Sequence, residues 1–115
     1  MKKIYLAGPM RGIKDFNFNA FHAAAAQLRA AGHMVFNPAE IDEAIYGPRF
    51  AISETGDASE LPKQFEFREA LALNLDFIVR RATAIAILPG WETSNGVRAE
   101  LAAARAVGLE EIYLP

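Results

Sequence analysis

Four short apolar runs alternate with helical patterns along the chain, and this alternation restricts the fold more than any other feature. The runs lie at residues 4–7, 33–36, 83–88 and 111–114. Strands that lack a hydrophobic–polar alternation are usually covered on both faces, as in a parallel sheet between two layers of helices. Because crossovers between parallel strands are right-handed, we predict an α/β fold. It should be a small Rossmann-like or flavodoxin-like three-layer sandwich with a four- to five-stranded, mainly parallel sheet.

Between these runs, apolar residues recur at helical spacing. The first helix should begin after Asn17 or Asn19 as N-cap and end near Ala31, with Gly32 as the residue that closes it. Two further helices are expected at about residues 63–81 and 95–107.

Residues from about 39 to 62 fit this pattern poorly. They contain Gly47-Pro48, Gly56 and scattered acidic residues. We predict a long loop with one short helix near residues 41–45. A loop of this length in a compact domain is usually functional, disordered or a subunit contact.

Size and charge limit the classes of function. A chain of 115 residues has room for one core, so we treat residues 1–115 as a single domain. The net charge of −2 provides no field for nucleic acid or an anionic membrane. The absence of cysteine excludes disulfides and thiolate chemistry and disfavours a structural zinc site. No segment resembles a signal peptide or a membrane span, so we expect a cytoplasmic protein.

Ligands of such sheets bind beyond the carboxyl ends of the strands, near the switch in strand order. Three segments follow strands here: residues 8–12, 37–40 and 89–96. The first reads Gly8-Pro9-Met10-Arg11-Gly12. Its exposed N–H groups and one guanidinium would suit a phosphate or a ribose, although a plain turn with a solvated arginine has the same pattern. Neither a Walker A loop nor a G-x-G-x-x-G fingerprint is present.

Glu100 occupies an unexpected position in the last helix. Val97, Ala103, Ala104 and Val107 lie at helical spacing from it, whereas Arg98 and Arg105 lie on the opposite face. A carboxylate on an inward stripe has a desolvation cost unless it is used. Because helical side chains lean towards the N-terminus, Glu100 should point at the Ser94-Asn95-Gly96 turn. A glutamate at the rim, paired with a basic residue, is the alternative.

Several other polar residues are candidates with open alternatives. Asn74 shares the stripe of Phe67, Leu71, Leu75 and Ile78 and is either a site residue or a buried amide bonded to backbone. Asp76 is more simply an ion-pair partner of Arg80. Tyr5 is either a site or a core residue, and Trp91 either stacks on a base or covers the sheet edge. Ser94 is an N-cap, a phosphate ligand or both. No catalytic triad or metal site is indicated.

On these residues the chain resembles the nucleoside 2-deoxyribosyltransferase superfamily, and most closely its uncharacterised DUF4406 branch, which is often phage- or prophage-encoded. The matching blocks are residues 4–12, 37–40, 70–72, 88–92 and 94–100. The first and last are the most specific. Ser94, Gly96 and Glu100 follow the Ser-x-Gly-x-x-x-Glu pattern of the superfamily's nucleotide N-glycosidases.

The resemblance implies cleavage of an N-glycosidic bond in a nucleoside or nucleoside 5′-monophosphate. Glu100 matches the glutamate that attacks C1′ of the sugar, and Tyr5 matches the tyrosine that orients it. Ser94 and residues 8–12 match elements that hold the phosphate, while Asn37, Trp91, Asn95 and Gly96 are further candidate contacts to substrate. The resemblance implies no metal or organic cofactor. Relatives complete the site with a neighbouring subunit, so a homodimer or higher homo-oligomer is expected, using the segment at residues 39–62.

One departure from the pattern concerns proton transfer. The family uses an aspartate on the helix before the third strand, where helical phase places Asn74 and a gapped count places Asp76. Thr83 likewise stands where many relatives have an acid. An amide hydrogen-bonds to a sugar hydroxyl but does not donate a proton as a carboxylic acid does. A non-catalytic nucleotide-binding or sequestering protein with the same pocket is therefore the alternative.

Overall fold

The computed structural model describes residues 1–115 and contains four strands and four α-helices. The strands are β1 (Lys3–Ala7), β2 (Met34–Phe36), β3 (Ala84–Ile87) and β4 (Glu110–Tyr113). They form one sheet in the order β2-β1-β3-β4, and every neighbouring pair is parallel. The helices are α1 (Phe18–Ala30), α2 (Pro38–Tyr46), α3 (Phe67–Arg80) and α4 (Asn95–Ala106). The predicted fold class is confirmed.

Side chains of the central strands alternate between two separate cores. Ile4 and Leu6 of β1 point towards α1, in a cluster that includes Phe18 and Phe21. Tyr5 belongs to the other cluster, which α3 and α4 build on the opposite face of the sheet. Because both faces are covered, the strands show no polar alternation, which explains the apolar runs in the sequence. None of the helices has both the length and the apolar content needed to cross a membrane.

The start of α1 differs from the prediction. Asn17 occupies the N-cap position, but its side chain donates to the Pro9 carbonyl over 2.9 Å instead of capping the helix. Asp15, Phe16 and Asn17 all have positive φ, between 51° and 64°. Backbone of this kind costs energy in residues other than glycine and persists only where surrounding contacts hold it. At the other end of α1, Gly32 follows the C-cap with φ +96°, as predicted.

The segment predicted as a long loop contains more structure than expected. The predicted short helix is α2, which begins at Pro38 because Asn37 caps it and proline is favoured in a first turn. The following residues fold back onto the chain: the Gly12 amide donates to the Gly56 carbonyl over 2.9 Å, and the Asp15 amide donates to the Ser53 carbonyl over 2.7 Å. α3 then begins at Phe67 and not near Lys63.

The carboxyl ends of β1 and β3 meet at the switch point of the sheet. From β1 the chain continues to β2 on one side, and from β3 it continues to β4 on the other. The approach is close at Gly8, where an added Cβ would lie 2.7 Å from Leu88 Cδ1 and 2.8 Å from Leu88 Cβ. Only a residue without a side chain fits there.

We therefore expect Gly8→Ala to lower the free energy of unfolding by about 1–3 kcal/mol, because Leu88 and the strand behind it must move. Urea denaturation followed by circular dichroism measures this loss. Gly96→Ala is the matched control: its Cβ would meet only Ser94 Oγ, at 3.9 Å, and the position is helical. That variant should be as stable as the parent or slightly more so. Equal stability of both variants would contradict the prediction.

Candidate functional site

A cavity of about 370 Å³ opens at the carboxyl ends of β1 and β3. This volume lies within the range of small-molecule sites. Its walls come from β1 and the loop after it, from α1 and the turn before it, from α2 and the segment that follows it, from α3 and from the first turns of α4. Much of the wall is aromatic, from Phe16, Phe18, Phe21, Phe50, Phe65 and Phe67. An apolar wall with a few polar groups is typical of a site for a flat organic ligand.

Glu100 reaches this cavity from α4. Ser94 is the N-cap of that helix, and its Oγ accepts a hydrogen bond from the Val97 amide over 3.2 Å, as predicted. Glu100 is 7% exposed and lies on the buried face of the helix together with Leu101 and Ala104. The predicted stripe was partly wrong, because Val107 at its end is 43% exposed.

Two side chains hold the carboxylate of Glu100. Tyr5 Oη donates to Glu100 Oε2 over 2.6 Å, and Asn74 Nδ2 donates to the same oxygen over 3.4 Å. Oε1 accepts no hydrogen bond within the chain. Since no fully buried side-chain oxygen lacks a partner, Oε1 is not fully buried, and Glu100 lines the cavity. One oxygen therefore fixes the orientation of the group while the other is free to act.

Burial governs the protonation of this pair. It raises the pKa of Glu100 to about 7, and the hydrogen bonds from Tyr5 and Asn74 oppose that rise. The pKa of Tyr5 is raised well above its ordinary value, first by burial and then by the negative charge of Glu100. The phenol therefore stays protonated and remains a hydrogen-bond donor at neutral pH.

A second carboxylate, Asp42 of α2, lines the same cavity, and the sequence reading missed it. Asp42 is 8% exposed, and burial followed by the charge of Glu43 raises its pKa to about 7. Its carboxyl group makes no hydrogen bond or ion pair within the chain. The signal for it was present, because Asp42 lies one helical turn after Ala39 on the inward face of α2. It was missed because the predicted helix at residues 41–45 lacked the first turn at Pro38, without which its inward face is not apparent.

Most of the predicted site residues come together here. The cavity is lined by Tyr5, Gly8, Pro9, Met10, Arg11, Asn74, Ser94, Asn95, Gly96 and Glu100. Arg11 is the only basic residue in its wall, and the guanidinium carbon lies 5.0 Å from the centre of the Phe67 ring. Phe67 was predicted on the inward stripe of α3 but is 47% exposed, because it lies at the start of that helix beside the cavity.

Four predicted residues lie outside the cavity wall. Gly12 bonds through its amide to Gly56, as described above. Asn37 accepts a hydrogen bond from the Ala39 amide over 3.0 Å as the cap of α2. Asp76 is paired with Arg80 at 2.7 Å on an exposed face, the simpler of its two interpretations. Trp91 packs against Tyr113 with ring centres 5.9 Å apart, so it covers the edge of the sheet.

The site can hold the carboxyl group of Glu100 against a carbon atom of a ligand bound in the cavity. An oriented carboxylate, a neutral phenol and a single cation at an apolar cavity suit a neutral ring system attached to an anionic group. No three or more histidine, aspartate or glutamate side chains are grouped as metal ligands.

Sequence comparison gives the family of the chain. No curated protein matches it in sequence. A family model described as "Domain of unknown function (DUF4406)" matches residues 2–113, which is nearly the whole chain. The chain therefore belongs to the DUF4406 family.

Proposed function

We propose that the protein cleaves the N-glycosidic bond of a nucleoside 5′-monophosphate, with Glu100 as nucleophile. The observation that carries this proposal is the buried Glu100–Tyr5 pair in the wall of a cavity of about 370 Å³, with one carboxylate oxygen left without a hydrogen bond. A buried carboxylate is costly to keep, and two donors orient this one towards open space. The likeness of residues 94–100 and 4–12 to the nucleoside 2-deoxyribosyltransferase superfamily supports the same reaction.

In this mechanism Glu100 acts at C1′ of the sugar. The ionised carboxylate attacks C1′ through Oε1 as the bond to the base breaks, giving a covalent glycosyl-enzyme. The transition state has oxocarbenium character, and a fixed negative charge stabilises it without reorganisation. Tyr5 and Asn74 hold Oε2 and so keep the attacking oxygen in place. Water then releases the sugar phosphate, or a second base accepts the sugar.

The 5′-phosphate would lie between Arg11 and the first turn of α4. Arg11 has no acidic partner within the chain, and Ser94, Asn95 and Gly96 line the cavity at the N-terminus of that helix. Helix N-termini and unpaired guanidinium groups both favour phosphate. The aromatic wall provides an apolar surface for the base. A homo-oligomer that completes the site remains a prediction.

The alternative is a protein that binds or sequesters a nucleotide without turnover. The observation in its favour is Asn74, an amide at the position where helical phase places the superfamily's acid, whereas Asp76, the match by a gapped count, is paired with Arg80 outside the cavity. Both proposals use the same cavity, so they differ only in whether product forms.

The test is chromatography of a mixture of ribo- and 2-deoxyribonucleosides and their 5′-monophosphates after incubation with purified protein. Release of a free base from at least one nucleotide is expected. A second run with an added acceptor base separates transfer from hydrolysis, because only transfer forms a new nucleotide. If no base is released from any member of the panel, the enzyme proposal fails. Thermal stabilisation by a nucleotide without release of base would favour the sequestering alternative.

Recognition of the phosphate is tested at Arg11. We expect Arg11→Gln to raise KM for the monophosphate by about 10- to 100-fold, because a charge-assisted bond to phosphate is lost. The KM for the corresponding nucleoside should change by less than about twofold. Arg81→Gln is the matched control. Arg81 is exposed just before the amino end of β3, and the cavity lies at the opposite, carboxyl ends of the strands. An equal rise in KM for both substrates would show that Arg11 does not recognise the 5′-phosphate.

A further inference from the structure

Glu100 and Asp42 are the only two carboxylates in the cavity wall, and they reach it from different helices. Both are buried, and neither forms an ion pair. We propose that Asp42 is the general acid that protonates the departing base when Glu100 attacks. This inference rests on the proposed glycosidase function and names the group that this function otherwise lacks. Asn74 has no acidic proton, and Asp76 lies outside the cavity.

The surroundings of the two carboxylates assign their roles. Two donors on Glu100 stabilise its ionised form. The Asp42 carboxyl receives no hydrogen bond, and burial followed by the charge of Glu43 raises its pKa, so its neutral form is favoured. Burial raises the pKa of both carboxyl groups to about 7, and the two donors suit Glu100 to the ionised role of nucleophile, which leaves Asp42 for the role of acid. Two carboxyl groups in different surroundings are how one site supplies both an acid and a base at neutral pH.

The reaction balances with these two groups and one water molecule. Glu100 Oε1 forms a bond to C1′, and the electron pair of the C1′–N bond passes to the base, which takes the proton of Asp42. The ionised Asp42 then removes a proton from water as the water oxygen attacks C1′. Glu100 leaves as a carboxylate, and Asp42 is again protonated. The products are the free base and the sugar phosphate, so no other reactant is needed.

Titratable groups of β1, α2 and α3 lie near Asp42. Tyr5 of β1 contributes a neutral phenol, whose pKa is raised first by burial, then by Glu100 and last by the charge of Asp42. Glu43 is paired with His22 of α1 over 3.0 Å. Glu69 of α3 shares a small second cavity with Asp42. None of these groups donates a hydrogen bond to Asp42, so its proton is available to a ligand in the cavity.

The experiment compares leaving groups. Wild type and Asp42→Asn are assayed on the nucleotide that the panel identifies and on the 4-nitrophenyl glycoside of the same sugar 5-phosphate, whose leaving group needs no proton. We expect Asp42→Asn to lower kcat on the nucleotide by about 100- to 10,000-fold and on the glycoside by less than about fivefold. The alkaline limb of the kcat/KM profile on the nucleotide should also disappear in this variant.

The control is Asp57→Asn, the same substitution at an exposed turn cap outside the cavity, where asparagine caps equally well. It should leave both substrates and the alkaline limb unchanged. Circular dichroism should report a folded Asp42→Asn protein, because Asp42 accepts no hydrogen bond that the amide would lose.

The outcomes separate the two proposals. Three results with an active wild type would overturn the role of Asp42 alone. Asp42→Asn could lose kcat equally on both substrates, lose none, or retain the alkaline limb of the profile. A wild type that releases base from no nucleotide and does not cleave the glycoside would overturn the glycosidase function together with this inference.

Discussion

Glu100→Gln should reduce kcat on the nucleotide by at least about 1000-fold, because it removes the nucleophile while leaving the cavity intact. An amide neither attacks C1′ nor balances the positive charge of an oxocarbenium ion. The variant should still fold, since the amide oxygen of glutamine can accept the hydrogen bond that Tyr5 donates. Release of free base by chromatography measures the loss directly.

The control and the binding measurement make this result specific. Glu92→Gln changes an exposed glutamate in the turn before α4, outside the cavity wall, and should leave kcat unchanged. Nucleotide should raise the melting temperature of Glu100→Gln as it does for wild type, by an amount that follows RT ln(1 + [L]/Kd). Turnover by Glu100→Gln at the wild-type rate would exclude Glu100 as nucleophile. Equal binding with no turnover by either protein would favour sequestration.

The sequence predicted those parts of the fold and site that depend on local pattern. The apolar runs identified the four strands, and helical phase placed Glu100 on the buried face of α4 and Asn74 beside it. The glycines at residues 8 and 96 marked the turns that line the cavity. Each of these inferences used spacing within one element, where side-chain direction follows from the backbone.

The features that the sequence did not predict depend on contacts between distant segments, and the spacing of residues within one element does not encode such contacts. Three consecutive residues with positive φ precede α1 because Asp15 and Asn17 bond to Ser53 and Pro9, and none of these bonds is visible in the sequence. Asp42 was missed for a related reason. A short helix was predicted near residues 41–45, but its capped start at Asn37 and Pro38 was not, and the phase that turns Asp42 inward depends on that start. The second acid of the cavity therefore emerged only from the tertiary structure.

The two buried carboxyl groups should also make the protein less stable as the pH rises from about 4 to above 7. In the folded protein the pKa of Glu100 is raised from 4.5 to about 7, and that of Asp42 from 3.8 to about 7. The folded state therefore holds more protons than the unfolded state between these values, and unfolding releases them. Their contribution to stability is complete below the unfolded pKa values and is lost as the pH passes the folded ones.

Glu100→Gln removes one of these groups, so its effect on stability should depend on pH. At pH 4 Glu100 is protonated and resembles glutamine, and the two proteins should be about equally stable. At pH 8 the wild type carries a buried charge, and the variant should be more stable by roughly 3 kcal/mol, since each pKa unit corresponds to about 1.4 kcal/mol. Urea denaturation at both pH values measures the difference.

Glu92→Gln, in which an exposed charge is removed, should show no such change. An equal effect of Glu100→Gln at pH 4 and pH 8 would mean that the carboxylate is well solvated in the native state. A site that loses stability in order to keep a buried carboxylate ionised is expected only where that charge has a use.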